Sequence, residues 1–233
     1  MTQIRMNSRS KRSIRKYHRY LGVILGVQFL MWTISGLYFS WSDLDQIHGD
    51  YFKKDRVEEK NFKGLVGIDS LFEEGIQSLR LLNVAGNPHY WVNEDLLYDA
   101  RTGRLRSGGI SEAEAITVAN SLMLETLVVK KVELIEEAGA HHEYRGQKLP
   151  AYVITYDHPH EVKAYVSKQD GQFQRVRHRN WRWFDFLWMT HTMDYQTRDN
   201  FNTILLRAFS FFGLFTVLSG FLLFFTSLKR SSR

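Results

Sequence analysis

Residues 21–39 read LGVILGVQFLMWTISGLYF, a run without a charged side chain. As a helix rising 1.5 Å per residue it covers about 28 Å, close to the hydrocarbon thickness of a bilayer. Trp32, Tyr38 and Trp41 gather toward its C-terminal half, where an aromatic belt belongs. LYFSW at 37–41 offers no small-x-small cleavage site, so the run reads as a retained span rather than a cleaved signal. A second uncharged run, AFSFFGLFTVLSGFLLFFTSL at 208–228, follows Arg207 and stops at Lys229. Two spans return the chain to the side it left, so two membrane helices bracket whatever lies between them.

A net charge of +6 would suit a nucleic-acid binder if it were spread over the chain. It sits in the tails instead. Arg5, Arg9, Lys11, Arg12, Arg15, Lys16 and Arg19 precede the first span with no acid among them, and Lys229, Arg230 and Arg233 follow the second. With these ten set aside the remainder carries −4, which excludes nucleic acid as a partner and leaves the lipid bilayer. Basic flanks outside both spans place the termini in the cytoplasm and the middle of the chain outside it. The absence of cysteine excludes disulfides, thiolate metal sites and covalent c-type haem attachment.

The organisation expected is a basic cytoplasmic N-terminus at 1–20, a transmembrane helix at 21–41 and an extracytoplasmic region at 42–180. An aromatic interfacial segment at 181–202, a second transmembrane helix at 203–228 and a basic cytoplasmic tail at 229–233 complete it. In the aromatic segment Trp181, Trp183, Phe184, Phe186 and Trp188 are interrupted by Arg182 and Asp185, which suits a helix lying in the headgroup layer. Within the central region LYDARTGRL (97–105) and YVSKQDGQF (165–173) each read as strand, polar turn and resuming apolar residue, with Gly103 and Gly171 at the same place. Ser111 with Glu114 forms a capping box for a helix carrying Ala115, Ile116, Ala119, Leu122 and Met123. Ser70 with Glu73 opens a shorter version with Leu71, Phe72, Ile76 and Leu79. KVELIEE, LPAYVITYD and VKAYVSK read as strands, so the class is α+β with antiparallel sheets, and residues 63–177 are expected to fold alone.

These residues carry a resemblance. HRYLGVILGVQFLMWTISGLYFSW (18–41) resembles the first helix of the PepSY-associated membrane protein family. ISEAEAITVANSLM (110–123), with PAYVITYD and AYVSKQDGQF after it, resembles a PepSY domain. RWFDFLWMTHTMDYQTRDNFNTILLRAFSFFGLFTVLSGFLLFF (182–225) is similar to the family's aromatic helix with a histidine and its following span with a Ser-Gly step. The resemblance implies a bacterial inner-membrane protein with a PepSY-like domain in the periplasm. It further implies b-type haem held by histidines, and a part in siderophore-iron reduction or other electron transfer. His18 falls on the family's histidine at the inner end of the first helix, and His191 on its second position.

Those two histidines cannot share one iron, because they lie at opposite ends of a span while axial ligands must meet at one metal. His48, in WSDLDQIHGDYF, is the candidate partner for His191; for His18 the partner is a second copy or another membrane protein, since two spans are too few to enclose a macrocycle. The alternative for His18 is an interfacial anchor among Lys16, Tyr17, Arg19 and Tyr20, and for His191 a helix cap or a hydrogen bond to Asp194. A metal site built from His141, His142, His158 and His160 with Asp157, Glu143 or Glu161 would suit zinc or copper, and loop tips explain the same residues. No G-x-S-x-G, H-E-x-x-H or phosphate loop occurs, so the sequence makes no enzyme assignment. A second functional class stays open: PepSY domains resemble inhibitory propeptide modules, which implies a membrane-tethered, non-enzymatic binder of a peptidase or other partner.

Overall fold

The computed structural model describes residues 8–56, 60–68, 75–198 and 200–228. The tails 1–7 and 229–233, and Ser70, Leu71, Phe72 and Glu73 of the first expected capping box, lie outside the described residues. The chain divides into two units, one made of Met1–Trp41 with Asp185–Arg233 and the other of Ser42–Phe184. The class is α+β, with two long apolar helices and two antiparallel sheets.

In the first unit α1 (Ser8–Trp41) is one continuous helix, so KYHRY is not a loose tail but the beginning of the span's own helix. Its partner is α5 (Ile204–Leu228), and Arg12–Trp41 and Ile204–Phe225 are each long and apolar enough to cross a membrane. Val23, Ile24, Val27 and Leu30 on α1 and Phe211, Leu214, Leu218 and Phe221 on α5 are exposed, a surface suited to hydrocarbon. Where the two helices meet, a β-carbon on Gly213 would lie 3.0 Å from Phe29 Cζ, so glycine there makes room for the ring.

The aromatic segment forms α4 (Arg179–Thr192). Its last carbonyls have no partner within the helix, and in an apolar setting each would cost several kcal/mol, on the order of a lost hydrogen bond or more. Side chains of α1 supply the donors: Gln28 Nε2 donates to Thr190 O at 3.0 Å and Trp32 Nε1 to His191 O at 2.7 Å. The chain then turns on Asp194, whose carboxylate accepts from the backbone N–H of Gln196, Thr197 and Asn200. Thr203 opens α5, its Oγ1 accepting from Leu206 N at 3.1 Å.

In the second unit α2 (Leu44–His48) and a 3-10 turn (Asp50–Phe52) precede β1 (Leu79–Val84), β2 (Asn87–Val92) and β3 (Leu96–Asp99), a three-stranded sheet in chain order. Then α3 (Glu112–Leu122) leads to β4 (Val129–Ile135), β5 (Ala151–Tyr156), β6 (Lys163–Ser167) and β7 (Phe173–Arg177), a four-stranded sheet also in chain order. The Ser111 capping box forms as expected: Ser111 N donates to Glu114 Oε2 at 2.7 Å and Glu114 N to Ser111 Oγ at 3.3 Å. Gly103 (φ 73°) and Gly171 (φ 66°) occupy the left-handed region that the two turns need.

One expectation fails. Ile76 and Leu79, read as part of a short helix, are not helical, and Leu79 opens β1. Two local causes are visible. Asn93 Oδ1 accepts from Gln77 N and Ser78 N, holding that stretch beside the end of β2, and Ala85 (φ 50°) with Gly86 (φ 88°) makes the tight turn that pairs Val84 with Asn87.

The core of this unit gathers both sheets on α3. Leu82, Val84 and Trp91 from one sheet and Ile154, Val166 and Val176 from the other share a cluster with Ala115, Val118 and Ala119. Phe52 belongs to the same cluster at 3% exposure. The folding unit therefore takes in residues upstream of 63.

Candidate functional site

The two membrane histidines are held in the same way. His18 Nδ1 on α1 lies 2.8 Å from Ser219 Oγ on α5, and Ser219 Oγ also donates to Thr216 O at 2.8 Å. A hydroxyl has one proton, so with that proton on the carbonyl the serine accepts from His18 Nδ1–H. His191 repeats the arrangement on α4. Its Nδ1 lies 2.7 Å from Ser35 Oγ, and Ser35 Oγ donates to Met31 O at 2.7 Å. We assign both rings the Nδ1–H tautomer, which leaves each Nε2 as a bare lone pair. Among the described residues neither Nε2 has a hydrogen-bond partner.

Around His18 the surroundings are apolar. It lines a groove of about 380 Å³ with Ile14, Leu21, Phe215, Leu218 and Leu222. Gly220 lies against the ring. The His191 ring is flanked by Phe39, edge-on with centroids 5.6 Å apart, and by Trp32 at 6.4 Å. Burial lowers the pKa of His191 from its ordinary value, favouring the neutral form a metal ion needs.

Ser35, which marks the position of His191 along α1, lies about 26 Å of helix beyond His18, at 1.5 Å per residue. One metal cannot reach both. Asp194 is not the partner of His191: its carboxylate is occupied by the turn that follows α4. His48 is exposed at the end of α2, in the other unit, and makes no hydrogen bond or ring contact among the described residues.

The domain histidines form no metal centre among the described residues. Two of the three candidate carboxylates are taken by arginine, Arg182 Nε donating to Glu143 Oε2 at 2.7 Å and Arg182 Nη1 to Glu161 Oε2 at 3.1 Å, while Asp157 lies 3.9 Å from Lys130 Nζ. Burial works to raise the Glu143 carboxyl, but hydrogen bonds from Arg182 and Tyr165 and the charges of Arg182 and Lys163 outweigh it and hold it at about 2. His142 Nδ1 accepts from Tyr144 N at 3.1 Å, and His158 Nδ1 accepts from His160 N at 3.1 Å. The rings of His158 and His160 stack beside Phe52. His178 completes this group, fully buried, with Nε2 3.1 Å from Ile47 O. Sequence reasoning missed His178, because QRVRHRN gives no sign that its last strand residue is followed by a buried ring.

The family model of the PepSY-associated TM region matches residues 1–225. The chain belongs to this PepSY-associated transmembrane family. As a member of it, the protein is membrane-embedded, and lipid covers the exposed apolar faces of α1 and α5. No curated protein and no solved structure matches this PepSY-associated chain significantly.

Proposed function

We propose that this PepSY-associated protein is an electron-transfer accessory in iron handling that holds b-type haem through His18 and, separately, through His191. It would stand in a bacterial inner membrane with both termini in the cytoplasm and Ser42–Phe184 outside. The observation that carries the reading is the contact of each Nδ1 with a serine hydroxyl of another helix, from which we assign the Nδ1–H tautomer; among the described residues each Nε2 then has no hydrogen-bond partner. Orientation of a ligating imidazole by a hydrogen bond at its other nitrogen is the usual outer-shell arrangement at a metal. The donor chemistry fits haem, which supplies one-electron transfer when bound. Ser219 and Ser35 would orient the rings and raise the basicity of Nε2, and Ile14, Leu21, Phe215 and Leu218 give the His18 side an apolar lining.

The groove beside His18 is formed by only two helices, so enclosure of a macrocycle calls for a second copy or another membrane protein. A second copy would also supply the second imidazole. The test is a visible absorption spectrum of detergent-solubilised protein made with ample haem. A Soret band lost in part in His18→Ala and in part in His191→Ala supports the reading, and wild-type protein without a Soret band overturns it.

The competing reading, a non-enzymatic module that captures a partner by strand addition, has one observation in its favour: β4 is an outer strand of its sheet. Its sequence works against that use. Lys130, Lys131 and Glu133 are exposed, and the β4–β5 pairing shifts register between Val129 and Lys131, features that discourage edge-to-edge pairing.

A further inference from the structure

We propose that the Ser42–Phe184 domain binds a dissolved organic anion, with a phosphate or carboxylate joined to an apolar portion, in a basic cavity beside α3. The cavity, of about 780 Å³, lies where the β1–β2 turn, the β6–β7 turn and the C-terminal half of α3 come together. It contains no histidine, so it is independent of the haem reading.

The backbone builds it. Lys54 N donates to Leu122 O at 2.8 Å and Leu124 N to Phe52 O at 2.9 Å, strapping the segment after the 3-10 turn along the end of α3. Gly171 lets the two turns touch, since a β-carbon there would lie 2.9 Å from both methyl groups of Val84. The strap brings Lys53, Lys54, Arg56 and Lys60 to the rim.

The cations are not equivalent. Lys53 pairs with Asp50 at 2.7 Å and Lys54 with Glu125 at 3.2 Å. Arg56 and Lys60 form no ion pair among the described residues. A β-carbon on Gly86 would lie 3.0 Å from Lys60 Nζ, which places that ammonium over the β1–β2 turn. Two cations on one rim with no ion-pair partner among the described residues attract an anion, and a guanidinium beside an ammonium suits phosphate or carboxylate oxygens. Ala85, Val118 and Phe173 also line the cavity and offer the apolar part of a ligand a surface. The side-chain amides of Asn83 and Gln172 add donors.

The test uses the full chain in neutral detergent at fixed ionic strength, titrated calorimetrically with phenyl phosphate, inorganic phosphate and, as mixed micelles, phosphatidylglycerol. Phenyl phosphate is expected to bind saturably and roughly tenfold more tightly than inorganic phosphate, from burial of the ring. In the Arg56→Ala/Lys60→Ala double variant its affinity should fall by roughly tenfold to a hundredfold. Both side chains are exposed, so the ligand-free thermal midpoint should stay that of the wild type. Absence of saturable phenyl phosphate binding overturns the proposal, as does equal affinity in the double variant. Binding of phosphatidylglycerol alone also overturns it, in favour of a lipid headgroup.

Discussion

A β-carbon at Gly220 would stand 3.3 Å from Cε1 of His18, so α5 leaves an opening where the α1 imidazole lies and anchors that ring through the preceding residue, Ser219. Position and tautomer of the histidine are set by two adjacent residues of the other span. Gly220→Val should displace the ring and reduce the haem bound per protein to the level of His18→Ala. Ser219→Ala keeps the ligand and removes only its anchor, so haem should bind roughly tenfold to a hundredfold more weakly. The ratio of Soret to protein absorbance across a haem titration separates the two effects, and unchanged affinity in Ser219→Ala would remove the serine from the site.

The charge of the tails predicts orientation. A phosphatase reporter that matures only outside the cytoplasm should stay inactive when fused after Arg233 and become active when inserted in the 93–95 turn between β2 and β3. Activity at the C-terminal fusion would reverse the layout.

Phe52 predicts where the domain begins. It is in the main core, and Lys53 bridges to Met123, so a fragment of 63–177 lacks a strap that 42–184 retains. The longer fragment should unfold cooperatively at a higher temperature than the shorter. Phe52→Ala in the longer fragment should cost about 3–5 kcal/mol by chemical denaturation.

Glu143 predicts a pH window. Its carboxyl is lowered from 4.5 to about 2 in the folded protein, so it stabilises the domain fully above the ordinary value, and that contribution is lost as pH falls through the window toward about 2. Glu114, lowered to about 2 chiefly by its hydrogen bond with Arg106, acts in the same window. Glu143→Gln should therefore lower the neutral-pH stability by about 3 kcal/mol, as expected when one partner of a buried ion pair is removed. It should also reduce, without abolishing, the acid-induced fall in thermal midpoint. A midpoint as acid-sensitive as that of the wild type would show that the pair does not couple to folding.

The spans, the α3 capping box and the two glycine turns were legible in the sequence because each depends on local chemistry: an uncharged run, a Ser-x-x-Glu spacing, a positive φ. The β1–β2 hairpin was not, since Ala85-Gly86 is a weaker turn signal than Asn-Gly and the leucines of LRLLNV suit helix and strand alike. His18 and His191 were singled out by their place beside the spans, but sequence could not tell a ligand from an interfacial anchor. Nor could it show what each ring touches: Nδ1 of His18 faces Ser219 and Nδ1 of His191 faces Ser35, serines more than 150 positions away along the chain. The basic rim of Arg56 and Lys60 was hidden for the same reason. The sequence by itself determined how often the chain crosses the membrane and where its charge resides, because hydropathy and charge act on each segment independently. Only the tertiary structure decided which histidine nitrogen is free and which cations share a cavity, because both depend on contacts between segments that the chain order keeps apart.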